Sequence, residues 1–159
     1  MVTLNELITD FLAQKCIAVA GVSRSRHNAA NMIYRKLRKT GYDVFSVNPK
    51  IETIEGDTCY PDLQSIPVKT DGVVIITRPA VTEQLVRQCA DLEVPRVWMH
   101  RSLGFMGSSV SELAVKFCRE NRITVIPGAC PMMFCKPVDF AHLCLCWMLK
   151  LTGGLPKTV

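Results

Sequence analysis

The stretch VAGVSRSRHNAANMIYRKL (residues 19–37) decides the fold class. It begins inside an apolar run, CIAVAG (16–21), that ends on a glycine. Behind it Ala30, Ile33, Tyr34 and Leu37 recur at helical spacing, and Thr40-Gly41 stops the pattern. A buried strand, a glycine turn and a helix open a nucleotide-binding α/β unit. The G-x-G-x-x-G of a dinucleotide site is incomplete, because Gly21 stands alone and Arg24 and Arg26 occupy the loop beyond it.

Working outward, strand and helix signals alternate. Thr3-x-x-Glu6 is a capping box, and Leu4, Leu7, Ile8, Phe11 and Leu12 place an amphipathic helix in residues 1–14. YDVFSVNP (42–49), GVVIIT (72–77), RVWMH (96–100) and ITVIPG (123–128) read as strands, and DTCYPDL (57–63) as a short edge strand halted by Pro61. Pro79 starts a helix that turns Leu85, Val86 and Cys89 inward. Ser109-x-x-Glu112 is a second capping box, with Val110, Leu113, Ala114 and Phe117 as the buried face. A closing helix covers residues 137–152, ended by Gly153-Gly154. The expectation is one α/β domain over residues 1–159. It is Rossmann-like and doubly wound, a mostly parallel sheet of about five to six strands with helices on both faces.

Hydrophobic residues at 48% and charged residues at 21% describe a globular chain. Net charge is +5, but aromatics are only 7% and no basic block stands out, which argues against nucleic acid as partner. MVTLNELITDFLAQK lacks the basic start and long apolar run of a signal peptide, and residues 140–151 are about half a bilayer span. No membrane partner and a cytoplasmic location are expected. Six of the eight cysteines sit in apolar strand or helix patterns, as small hydrophobes in a reducing compartment would.

Ligands of open α/β sheets sit beyond the carboxyl ends of the strands. Those ends are Gly21-Val22-Ser23-Arg24, Asn48-Pro49-Lys50, Thr77-Arg78-Pro79, His100-Arg101 and Gly128-Ala129-Cys130-Pro131. Arg24, Arg26, Lys50, Arg78 and Arg101 are expected on one rim with no carboxylate among them. Arg35, Lys36, Arg38 and Lys39 read as a solvated helix face. NAD would want an acid at the end of the second strand for the ribose hydroxyls. Val47-Asn48-Pro49-Lys50 offers none. A ligand with an extra ribose phosphate, NADP or coenzyme A, fits the charge better.

GVSRSRHNAANMIYRKLRKTGYDVFSVNPK, DTCYPDL, DGVVIITRP and TVIPGACPMMF, in that order, resemble the CoA-binding domain family. Its members are small Rossmann proteins similar to the N-terminal domain of the succinyl-CoA synthetase α subunit. The resemblance implies a CoA or acyl-CoA site in which Gly21, Val22, Ser23 and Arg24, with Arg26 close by, meet phosphate. Asn31 matches a family position. Val47, Asn48, Pro49 and Lys50 would lie by the adenosine 3′-phosphate end, and Thr77, Arg78 and Pro79 would flank the nucleotide. None of His27, His100 and His142 lies in a motif matching the synthetase's phosphorylated histidine, so the ligase reaction does not carry over and no catalytic group is nominated.

The ending CPMMFCKPVDFAHLCLC holds Cys130, Cys135, His142, Cys144 and Cys146 in a spacing that fits no common zinc pattern, and no metal site is expected. Phe140, Leu143, Cys144, Trp147, Met148 and Leu151 form an apolar stripe suited to packing. The helix is apolar nearly all round, which points to a possible homodimer. Cys130, beside the crevice, reads as an inert loop cysteine, with disulfide exchange with the CoA thiol as the alternative. The expected function is therefore non-catalytic CoA or acyl-CoA binding. The alternatives are an NADP-dependent oxidoreductase and a cysteine-linked redox or metal protein.

Overall fold

The computed structural model describes residues 2–102 and 107–155; residues 1, 103–106 and 156–159 of the expected domain lie outside it. The chain runs α1 (Leu4–Leu12), β1 (Cys16–Ala20), α2 (Ala29–Lys39), β2 (Asp43–Val47), β3 (Thr53–Ile54), β4 (Asp57–Tyr60), β5 (Gly72–Ile75) and α3 (Pro79–Asp91). It continues through β6 (Arg96–Met99), α4 (Glu112–Glu120), β7 (Thr124–Pro127), a 3-10 turn (Pro131–Met133) and α5 (Phe140–Thr152). The strands form one seven-stranded sheet in the order β3-β4-β2-β1-β5-β6-β7. All pairings are parallel except β3 with β4. The strand count exceeds the expected five to six. DTCY is not the edge, because Thr53-Ile54 folds back on it through Glu55 and Gly56, both at positive φ, and becomes the true edge strand.

Central strands buried on both faces split their side chains between two cores. Ile17 and Val19 of β1 join Leu7, Ile8 and Phe11 of α1 and Ala30, Ile33, Tyr34 and Leu37 of α2. Ala18 and Ala20 point the other way, to Leu85, Val86 and Cys89 of α3 and Ala114, Val115 and Cys118 of α4. The sheet is thus doubly wound, as expected. Phe11 meets Trp98 edge-on at 5.4 Å between ring centres. The Trp98 indole N–H donates to the Gly128 carbonyl at 3.0 Å, so its one polar atom is satisfied in the core. Arg96 grips both oxygens of Asp10, at 2.6 and 3.1 Å, and ties α1 to β6.

The Thr3–Glu6 capping box forms in both directions. The second expected box does not. Ser111 caps α4, its hydroxyl accepting from the Ala114 N–H, and Ser109 turns away toward β5. This delays the helix and rotates its inner face, so Leu113 is 69% exposed while Val115 and Cys118 are buried. The stripe on α5 also departs from expectation: of that helix only Cys146 is buried, and Phe140, Leu143, Cys144, Trp147, Met148 and Leu151 face outward. No helix among the described residues is long and apolar enough to cross a membrane.

Phe11→Ala is expected to cost about 3–5 kcal/mol, the range for emptying a buried aromatic site. Chemical denaturation would measure it as a lower midpoint at unchanged slope.

Candidate ligand cleft at the carboxyl edge of the sheet

The strand order reverses between β1 and β5, and the chain is tightest there. Gly21 leaves β1 at φ +106°, with its N–H on the Val47 carbonyl at 3.1 Å. A Cβ at this position would run into the Ile76 carbonyl oxygen, so a side chain is excluded by both space and backbone conformation. Val22 then drops fully into the core. The loop that follows is held by two carboxamides. The Asn31 Nδ2 donates to the Ser23 and Ser25 carbonyls, at 2.6 and 3.1 Å, while its Oδ1 accepts from the Ser23 N–H at 2.8 Å. Asn31 is completely buried behind the loop, with its whole polar end spent on it. The Asn48 Nδ2 donates to the Val22 carbonyl at 2.6 Å, and its Oδ1 receives the Lys50 N–H at 2.8 Å.

Two clefts flank the β5–α3 turn and share Ile76, Thr77 and Arg78. The first, about 410 Å³, is lined by Gly21, Val47, Asn48, Pro49, Lys50, Thr77 and Arg78 together with Asp62, Gln84 and Gln88. The second, about 620 Å³, opens at the start of α2 between His27, Asn28, Ala29, Pro79, His100 and Ser109. A third hollow of about 230 Å³ touches the second at Ala29, His100 and Ser102. It runs past Cys130, Met132, Met133 and Leu145.

Of the sequence-chosen residues, the β2 and β5 ends come together in these clefts. Val22, Ser23, Arg24, Arg26 and Asn31 line neither; Arg24 and Arg26 are exposed on the loop. The rim of cations also scatters: Lys50 and Arg78 border the first cleft and Arg101 the third. A carboxylate, Asp62, stands in the first cleft, contrary to expectation. Asp62 lies in the DTCYPDL run but is not among the expected ligand contacts, and Gln84 and Gln88 on the outer side of α3 carry no motif; only the fold brings the three in.

Thr77 is strapped at both ends. Its N–H donates to the Ser109 hydroxyl at 3.0 Å, and its hydroxyl lies 3.1 Å from that of Thr82. His100 is buried at the β6 end, and loss of hydration lowers its pKa to about 4. Burial pushes the Cys130 thiol up to about 11, so little thiolate exists at neutral pH. Among the described residues no group of three or more Cys, His, Asp or Glu is arranged to hold a metal ion. Cys135 instead lies 3.4 Å from the Thr40 hydroxyl, and Cys144 and Cys146 take different sides of α5.

Residues 15–136 match the family model described as a CoA binding domain. The chain belongs to that family. Within the CoA-binding family it is 32% identical over 80 residues to acetate–CoA ligase [ADP-forming] I of Archaeoglobus fulgidus, covering 50% of this chain and 12% of the ligase. The chain thus spans only a small part of that enzyme. It is 26% identical over 116 residues to the Bacillus subtilis protein YneT, covering 73% of this chain and 82% of that one. Among solved structures, a hypothetical protein from Pyrococcus horikoshii OT3 superposes with a TM-score of 0.75 at 30% identity, over 82% of this chain and 88% of that one. The dinucleotide-forming acetyl-coenzyme A synthetase 1 of Ca. Korarchaeum cryptofilum matches at 0.59 and 26% identity, over 69% of this chain and 25% of that chain. These likenesses bear out the expected family and fold.

The lowered pKa of His100 makes it neutral when folded and protonated when unfolded across the window from about 6.5 down to about 4. The unfolded chain binds more protons there, so His100 contributes a loss of stability as pH falls through that window and nothing further below it. His100→Gln is expected to flatten that part of the stability–pH curve. Imidazole NMR signals of the folded wild type should titrate near 4 for this residue.

Proposed function

We propose that the chain binds CoA or an acyl-CoA and performs no chemistry on it. The observation that carries this reading is the end of β2. Where a ribose-binding carboxylate would serve NAD, Asn48 spends its amide on the Val22 and Lys50 backbone and leaves the Lys50 ammonium at the cleft edge. In this reading Lys50 meets the 3′-phosphate of the adenosine, whose ring occupies the 410 Å³ cleft beside Val81 and Leu85. The diphosphate crosses at Thr77-Arg78, which borders both clefts. Arg24 and Arg26 reach in from the exposed loop when the ligand is bound. The start of α2 adds its favourable dipole at the second cleft, a contribution of about 0.3–1 kcal/mol.

The pantetheine arm follows the second cleft past the α2 start, and an acyl group ends in the apolar hollow of Ala29, Ile33, Met132 and Leu145. The absence of chemistry is supported by the polar groups themselves. His100 is held neutral with no carboxylate partner among the described residues to orient it, and Cys130 is held as thiol.

Thermal unfolding with CoA, dephospho-CoA, NADP and NAD tests this. A ligand at a hundredfold its dissociation constant stabilises by about 2.7 kcal/mol, a shift of several degrees for a domain of this size. CoA should raise the midpoint more than dephospho-CoA, and Lys50→Ala should erase the difference between the two. A shift with NADP and none with CoA would overturn the reading in favour of an oxidoreductase. Incubation with CoA disulfide should leave Cys130 without an adduct by mass spectrometry.

A further inference from the structure

The helix α5 presents an apolar face that no other described element covers. Cys146, with Leu145, Leu149 and His142 beside it, turns toward the body of the domain. On the other side Phe140 is 81% exposed, Leu143 52%, Trp147 67%, Met148 46% and Leu151 66%, with Cys144 exposed among them. At 3.6 residues per turn these six side chains fall in one sector about 140° wide. The helix lies beyond the family match, which ends at residue 136.

The order of the stripe says what fits it. Reversing the helix about the point between Leu145 and Cys146 exchanges Phe140 with Leu151, Leu143 with Met148, and Cys144 with Trp147. The set maps onto itself, so in an antiparallel two-fold pair each level of the stripe carries an apolar side chain from both copies. The charges agree. Lys150 is the only Lys, Arg, Asp or Glu within the helix, and Asp139 caps its start. Both fall on the same flank of the stripe. Antiparallel two-fold pairing brings like flanks together, so Lys150 of each copy comes against Asp139 of the other. A parallel pair would instead gather both lysines at one end of the seam and both Asp139 at the other.

The area is sufficient. The five large side chains expose on the order of 600 Å² per copy, so pairing removes at most about 1,200 Å² from water, the lower end of specific interfaces. A lipid surface is a poorer match, since a membrane-seeking helix carries a Lys/Arg-rich polar face. Here the opposite face is packed on the protein.

We propose that α5 is the seam of a homodimer in which two copies pair antiparallel through Phe140, Leu143, Cys144, Trp147, Met148 and Leu151. The inference is independent of what the clefts bind. Sedimentation velocity and light scattering on the full chain at micromolar concentration should give twice the 17.7 kDa mass. Trp147→Asp and Leu143→Asp, both at exposed positions, should give monomers whose circular dichroism matches that of the wild type. Lys150→Glu should weaken the dimer about three- to tenfold at low salt and less at high salt. A monomeric wild type overturns the proposal, including one that pellets with phosphatidylcholine vesicles. So does a dimer that both aspartate substitutions leave intact. A dimer indifferent to Lys150→Glu overturns the antiparallel pairing.

Discussion

The approach of Gly21 to the Ile76 carbonyl is the constraint on which the ligand edge depends. It lets β1 pass close to the end of β5 at the point where the winding of the sheet reverses. Because that crossing is tight, the turns after β1, β2 and β5 converge within reach of one another. Asn48 on the β2 turn can then bond the carbonyl of Val22, and Thr77 can be held from the far loop by Ser109. A side chain at position 21 would force a shift of the backbone at Ile76, which borders both clefts. The remaining glycines of the dinucleotide fingerprint serve close backbone wrapping of a diphosphate. Their replacement here leaves a loop stiffened by carboxamides.

Much of this was legible in the sequence, and the reasons differ by element. β1, β2, β5 and β7 are short, largely apolar runs ended by Gly, Asn-Pro or Arg-Pro, and β6 is one ended by His100-Arg101; such runs have few other ways to read. Helix α2 declared itself through Ala30, Ile33, Tyr34 and Leu37, all of which are buried. The start of α4 did not. Ser109 and Ser111 are equally good caps by chemistry, and the choice was made by Thr77, whose N–H needed the Ser109 hydroxyl. Position 109 was thus claimed by tertiary structure before local preference could act. The two-residue strand β3 was illegible for a related reason: Thr53-Ile54 is too short to carry a period, and its existence rests on pairing with β4.

The candidate site was legible at the strand ends and opaque elsewhere. Asn48, Lys50, Thr77 and Arg78 sit where the edge rule puts them. Asn31 was singled out, yet its burial and its three bonds to the loop were not readable from a helix position. Helix α5 shows the complementary difficulty. Its apolar residues go nearly all round, and such a pattern says that two faces need cover without saying which face the chain itself supplies.

The carboxamides have an effect on charge beyond holding shape. Asn48 and Asn31 bind the carbonyl oxygens of Val22, Ser23 and Ser25, and Arg35 takes that of Arg26 at 2.8 Å. Those four oxygens are the negative ends of peptide dipoles along the loop, and each is already engaged by a donor from the protein. What the loop can still offer to solvent is weighted toward its positive ends and the two arginines. The electrostatic sign of the β1–α2 loop is therefore set by what Asn31, Asn48 and Arg35 withdraw from its surface as much as by the cations displayed on it.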